Sequence, residues 1–144
     1  MSELPPPAAV LPHGGAAILL RRLVRATADE LHAVARLPAE SPYARGAFRG
    51  AALLEAAAQA AAAHGALAAA PREGAAPPSP GRLVGVKAAR LAAEPPLDLD
   101  LEIVVQRVGA AGPLAIYTSR VTVAGAELLS AELSVWSVKG GPTG

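Results

Sequence analysis

Three residues of this sequence have the types and the spacing to do chemistry at one place: Gly50, Glu55 and Gln59. The last two are four apart, so on a helix they share a face. They lie in residues 48–69, FRGAALLEAAAQAAAAHGALAA, a stretch otherwise made almost wholly of Ala, Leu and Gly. Desolvation in such surroundings favours the protonated form of a carboxyl group, which suits Glu55 to giving a proton to a departing hydroxyl. Gly50 lies near the start of this stretch. A helix N-terminus offers unpaired N–H groups and the positive end of the backbone dipole, a natural oxyanion site, and glycine lets a ligand approach closely.

The other candidates are scattered. His13 sits in a turn before the first apolar run, where it either reaches the Glu55 site as a catalytic partner or caps local backbone groups. His32 alternates onto the polar side of its strand and is expected to face solvent. His64 follows Glu55 by nine residues, roughly half a turn round the helix at 3.6 residues per turn, so it is expected to serve packing or a partner contact. Ser41 and Tyr43, in the loop before the helix, have hydroxyls that could orient a water or a substrate, but a serine without a basic partner is a poor general base. With no Cys in the chain there is no disulfide framework, thiol nucleophile or thiolate metal site. Three dispersed histidines make no metal site, and no Gly-rich loop has phosphate-binding spacing. No cofactor is expected.

These residues need a scaffold, and the patterning supplies one. Residues 48–69 are nearly all strong helix formers and span roughly 30 Å at 1.5 Å per residue. Small side chains all round suit a helix gripped on several sides by a sheet better than one lying on a surface. Gly65 is expected to mark fraying near its end. Before the helix, residues 16–26 and 31–37 read as two strands joined by a polar turn, with Leu31, Ala33, Ala35 and Leu37 on one face. Residues 38–47 read as a loop, and residues 71–80, rich in Pro and Gly, as a flexible one. Four more strands are expected at 82–92, 99–108, 114–123 and 127–138. Leu101, Ile103 and Val105 make one core face, and Leu129, Ala131, Leu133 and Val135 another. Gly-containing turns at 109–113 and 124–126 make the late strands antiparallel neighbours. The order β-β-α-β-β-β-β is an α+β arrangement in which a twisted antiparallel sheet curls over one helix.

A chain of 144 residues is the usual size of one domain, burying about two-thirds of its unfolded surface without staples or metal. The expected organisation is a disordered lead-in over 1–9, one domain over 10–139 and a flexible tail over 140–144. A net charge of +1, with 17% charged residues and 3% aromatic, gives no basic field and no stacking platform for nucleic acid. The Ala-rich stretch carries Glu55, Gln59 and His64 and is far less lipophilic than a Leu-rich span, so no membrane contact is expected. The N-terminus lacks a charged n-region followed by an apolar h-region; a cytoplasmic location is expected.

Three segments resemble the β-hydroxyacyl-acyl-carrier-protein dehydratases. Residues 11–13, LPH, with 17–24, AILLRRLV, are similar to that family's opening L-P-H, apolar strand and D-R-V run. Residues 49–60, RGAALLEAAAQA, are similar to its P-G-V-x-x-x-E-A-x-A-Q-A helix start, and this G-x-x-x-x-E-x-x-x-Q spacing is the most specific of the three. Residues 83–90, LVGVKAAR, are similar to its A-G-I-x-x-A-R strand. The resemblance implies a hotdog fold, a dimer or a larger assembly of dimers, and an acyl-pantetheine tunnel between protomers. It places Glu55 at the acidic catalytic position, Gly50 at the helix-start N–H that binds the thioester oxygen, Gln59 at a supporting position, and Gly85 at a substrate-binding position in the third segment.

One departure matters. The family's catalytic His lies before the helix, and a gapless match on Gly50 and Glu55 puts Ser41 there, followed by Pro42 and Tyr43; no His falls between His32 and His64. A subset of dehydratases of aryl-polyene pathways resembles this chain in keeping L-P-H without the His motif, which makes His13 the candidate second catalytic residue. The implied activity is dehydration of a 3-hydroxyacyl group on acyl-carrier protein or coenzyme A, in fatty-acid or polyketide-type metabolism, by a homodimer. Arg45 and Arg49 could attract the pantetheine phosphate. The alternatives are a hotdog thioesterase, which needs only a helix carboxylate and the helix-start N–H, and a non-catalytic hotdog subunit paired with an active paralogue.

Overall fold

The apolar–polar alternation of the strand segments is the alternation of burial in three dimensions. The computed structural model describes residues 4–11, 18–45, 49–68 and 82–136. In chain order the elements are α1 (Pro7–Val10), β1 (Leu20–Ala26), β2 (Glu30–Arg36), a 3₁₀ turn (Pro42–Ala44), α2 (Gly50–Ala68), β3 (Arg82–Leu91), β4 (Asp100–Ala111), β5 (Leu114–Val123) and β6 (Ala126–Trp136). The strands form one six-stranded sheet in the order β1-β2-β4-β5-β6-β3, antiparallel at every pairing.

Register follows from which side chains must be inside. Leu31 pairs with Val105, Ala33 with Ile103 and Ala35 with Leu101, all buried, while His32, Val34 and Arg36 stand opposite Val104, Glu102 and Asp100 on the outer face. A one-residue slip would turn this whole apolar set to solvent. Leu129, Ala131, Leu133 and Val135 of β6 close the same core. Helix α2 packs against all six strands. Ten of its residues are buried, among them Ala52, Ala56, Ala57, Ala60, Ala61 and Ala63. Small side chains all round let the sheet curl closely about the helix, as the composition implies. Gly65 lies inside the helical span, which continues to Ala68.

The boundaries differ from the expected ones where the backbone finds another partner. Among the described residues the first strand begins at Leu20, and the N–H groups of Leu19 and Leu20 go to the Gln59 side chain, at 2.8 and 3.4 Å. Strand β4 runs on to Ala111, since a bulge at Arg107/Gly109 restores pairing with β5 as far as Leu114. The turn shrinks to Gly112 and Pro113, with Gly112 at φ 60°. Residues 7–9 of the lead-in form a helical turn with Val10: Leu4 and Val10 pack on the core, Pro7 and Leu11 are buried, and the Leu11 N–H caps the turn on Pro7. The expectations for 1–3, the strand start at 16–17, 46–48, the loop at 71–80, the strand end at 137–138 and the tail at 140–144 lie outside the described residues.

Strands β1 and β3 form the two edges of the sheet. Strand β3 pairs with β6 through two bulges, one after Leu83 and one after Lys87, and Ala88 has φ 51°. It exposes Leu83 (42%), Val84 (57%), Val86 (38%) and Leu91 (38%). An edge with this much apolar surface invites a further strand.

Candidate functional site

Gln59 is 1% exposed, in the middle of α2, and its carboxamide can point only one way. The Leu19 and Leu20 N–H groups can only donate, so Oε1 faces them and Nε2 is turned toward Glu55, where it donates to Oε1 at 3.0 Å. Glu55, half-buried one turn earlier, is thereby held in position with Oε1 as acceptor. The segment entering β1 thus fixes the carboxyl group through one amide. Leu19 also lines a narrow apolar crevice with Leu37, Ala52, Leu53, Ala56 and Leu101, between the first half of α2 and strands β2 and β4.

The loop before the helix reaches the same neighbourhood. Ser41 is buried; its Oγ accepts the Tyr43 N–H at 3.2 Å and caps the 3₁₀ turn, with Pro42 next in line. That turn packs on α2, and Tyr43, half-buried, packs against the core. The Tyr43 phenol is pushed above its usual 10.0, first by burial and second by the negative charge of Glu55. Tyr43 and Glu55 therefore belong to one electrostatic neighbourhood. Their twelve-residue separation across a loop has no periodicity from which this could be read.

The other candidates are placed elsewhere. Gly50 is the buried first residue of α2. Gly85 lies in β3 opposite Ser134, where an added Cβ would make ordinary contact at 3.6 Å. His13 lies outside the described residues. His32 is on the outer face of β2, its Nε2 2.6 Å from Glu30 Oε1, and that hydrogen bond holds the Glu30 carboxyl below its usual range. His64 is 1% exposed and uses both ring nitrogens. Nε2 lies 3.0 Å from the Thr27 carbonyl, which can only accept, so Nε2 carries the proton; Nδ1 then accepts from the Tyr117 hydroxyl at 2.8 Å. This buried bridge ties α2 to β5 and to the β1–β2 turn, as expected of a packing histidine. Among the described residues, no three His, Asp or Glu side chains are grouped to hold a metal ion, and no helix is long and apolar enough to cross a membrane.

A helix-borne carboxyl with its glutamine one turn on, under a curled antiparallel sheet, is the arrangement the dehydratase resemblance implies. Residues 5–141 match the sequence profile of the ApeP-like family, described as ApeP dehydratase. The chain belongs to the ApeP-like dehydratase family. Its fold is the hotdog fold, and it is a dehydratase-like hotdog protein. This ApeP-like chain is similar in structure to the dehydratase heterocomplex ApeI:P from Xenorhabdus doucetiae, with a TM-score of 0.83 at 18% identity over 96% of this chain and 94% of that one. A hypothetical thioesterase from Streptococcus pneumoniae, with coenzyme A, matches at a TM-score of 0.62 and 12% identity over 82% and 85%. A Streptococcus mutans protein bound to acetyl-CoA matches at 0.61 and 11% over 81% and 87%. At these identities the structures establish the ApeP-like chain's fold alone. No curated protein matches it by sequence.

Proposed function

We propose that this chain dehydrates 3-hydroxyacyl thioesters carried on acyl-carrier protein or coenzyme A, in fatty-acid or polyketide-type metabolism of the cytoplasm, with Glu55 as an acid–base residue. The observation that carries this reading is the Gln59 carboxamide, buried and fixed by two backbone N–H groups, which aims its donor at a half-buried carboxyl group in a chain of the ApeP-like dehydratase family. Gly50, opening α2, offers its N–H to the thioester oxygen. Ser41 and Gly85 are proposed substrate contacts, and His13 a catalytic one. Absorbance of a 2-enoyl thioester reports hydration, the reverse reaction. Wild-type protein is expected to turn it over and Glu55→Gln to lose at least about a hundredfold; full activity in Glu55→Gln would remove Glu55 from the chemistry. Thiol release without hydration would select the thioesterase reading instead.

The chain is proposed to work against a second hotdog chain laid along β3, either a copy of itself or an active paralogue. The apolar edge strand supports a partner, and a related dehydratase forms the ApeI:P heterocomplex. No Asp or Glu occurs between residues 82 and 91, whereas Lys87 and Arg90 do, which favours a paralogue with an acidic edge over a second copy.

A further inference from the structure

We infer that Asp98 is a positioning residue of the site: it latches the connection between β3 and β4 onto the exit of β2, and so fixes the loop that carries Ser41 toward α2. This rests on the dehydratase reading, in which Ser41 touches substrate. Asp98 belongs to none of the segments that resemble the dehydratases. Its backbone has φ 61°, a left-handed conformation that few residues with a Cβ adopt and that Asp tolerates better than most. Turned this way, it grips one short segment twice. Its N–H donates to the Leu37 carbonyl at 2.9 Å, and its Oδ1 accepts the Ala39 N–H at 3.2 Å.

The latch closes a strap over the first half of α2. Strand β3 is an edge and β4 lies beyond β6 and β5, so residues 92–99 must pass the ends of two strands, about 14 Å at the usual strand spacing. At the start of the strap the Ala92 N–H donates to the Leu128 carbonyl at 2.8 Å; in the middle Pro95 is buried and Leu97 packs on the core; at the end stands Asp98. Pro95 and Leu37 line the same crevice as Ala52, Leu53 and Ala56 of α2 and as Leu19. The Leu19 N–H is one of the two that orient Gln59, and Gln59 holds Glu55. The segment that Asp98 grips therefore borders one cavity with a residue that fixes the carboxyl group.

From Leu37 the chain reaches Ser41 through bonded steps. The Ser41 N–H donates to the Pro38 carbonyl at 3.0 Å, and Ser41 Oγ accepts the Tyr43 N–H at 3.2 Å. The Ala44 and Arg45 N–H groups close the turn on Ser41 and Pro42 at 2.9 and 3.3 Å, and the turn packs on α2. Freeing Ala39 loosens the base of the turn that seats the buried Ser41. Ala39 and Asp98 are exposed, so water takes up the N–H once the carboxylate is gone, and the cost falls on the order of the loop rather than on the core. Turnover that depends on placing a substrate contact is sensitive to such loosening, whereas global stability is not.

Two substitutions separate the bond from the backbone. Asp98→Gly accepts φ 61° without penalty but removes the Oδ1 acceptor, and Asp98→Asn keeps an acceptor oxygen at the same place. By native-state hydrogen exchange, the Ala39 and Ser41 amides are expected to exchange at least about tenfold faster in Asp98→Gly than in wild type or Asp98→Asn, with the buried amides of α2 unchanged. Equal rates at Ala39 and Ser41 in Asp98→Gly and wild type overturn the latch whatever the substrate. In the hydration of a 2-enoyl thioester, by the purified chain or its complex, Asp98→Gly is expected to lower kcat/KM at least about tenfold, and Asp98→Asn to stay within about twofold of wild type. If Asp98→Asn loses as much as Asp98→Gly, the bond to Ala39 is not the cause and the inference fails. If Asp98→Gly loosens the loop yet keeps kcat/KM within about twofold while Glu55→Gln loses turnover, the inference fails and the dehydratase reading stands. If wild type hydrates no enoyl thioester, both fail.

Discussion

Replacing the Tyr117 hydroxyl isolates what one buried polar group contributes. Tyr117→Phe leaves His64 Nδ1 buried without a donor, and the expected loss is about 1–3 kcal/mol, read as a lowered denaturant midpoint at unchanged slope. The same hydroxyl makes the fold sensitive to alkali. Burial raises the Tyr117 phenol above 10.0, against a smaller lowering by Arg107. The folded chain thus keeps this proton to a higher pH than the unfolded chain does. The stability it contributes is complete below about pH 10 and is lost as pH rises through the raised value, so Tyr117→Phe flattens that limb of a stability–pH curve. Gln59→Leu tests the other buried amide. It strands the Leu19 N–H and releases Glu55, so stability falls by about 1–3 kcal/mol and turnover falls with it, whereas Glu55→Gln lowers turnover alone.

At the scale of elements, the β5–β6 hairpin is joined by two residues, Ala124 at φ 48° and Gly125 at φ 83°. Positive φ at both positions is the type I′ turn, whose twist matches that of the strands. Glycine adopts this without penalty, but Ala124 brings a Cβ into the left-handed region, which costs on the order of 1 kcal/mol. Ala124→Asn is expected to raise the thermal midpoint and Gly125→Ala to lower it, each by the equivalent of roughly 0.5–1 kcal/mol in a thermal melt. The strands and the helix were legible in the sequence because Leu31, Ala33 and Ala35 carry a period of two and residues 50–68 are helix formers throughout. The ends were not. What the Leu19 N–H at the entry to β1 bonds to is Gln59, forty residues away, and where β4 stops depends on a bulge set by pairing with β5.

For the whole molecule the open question is what lies along β3. Its exposed Leu83, Val84 and Val86 form an apolar band on an edge strand, and Val84→Lys together with Val86→Lys is expected to abolish association, read by sedimentation velocity, with the fold of the single chain preserved. The charge on this edge separates the two possible partners. Two copies bring Lys87 and Arg90 against the same residues, so their association is expected to tighten with added salt. An acidic-edged paralogue is expected to bind less tightly as salt rises.

The sequence by itself determined the helix, the six strands, their inward faces and the family, through the Gly50, Glu55 and Gln59 spacing, because these follow from local periodicity and from residues close together along the chain. Only the tertiary structure decided what surrounds Glu55. The orientation of Gln59 comes from backbone N–H groups at Leu19 and Leu20, the place of Tyr43 comes from a turn capped by Ser41 and packed on α2, and the commitment of His64 comes from Tyr117 and Thr27. Each is a hydrogen bond or an electrostatic contact across the fold. Such contacts leave no pattern in one dimension, since what selects them is the need to satisfy polar groups after the core has closed.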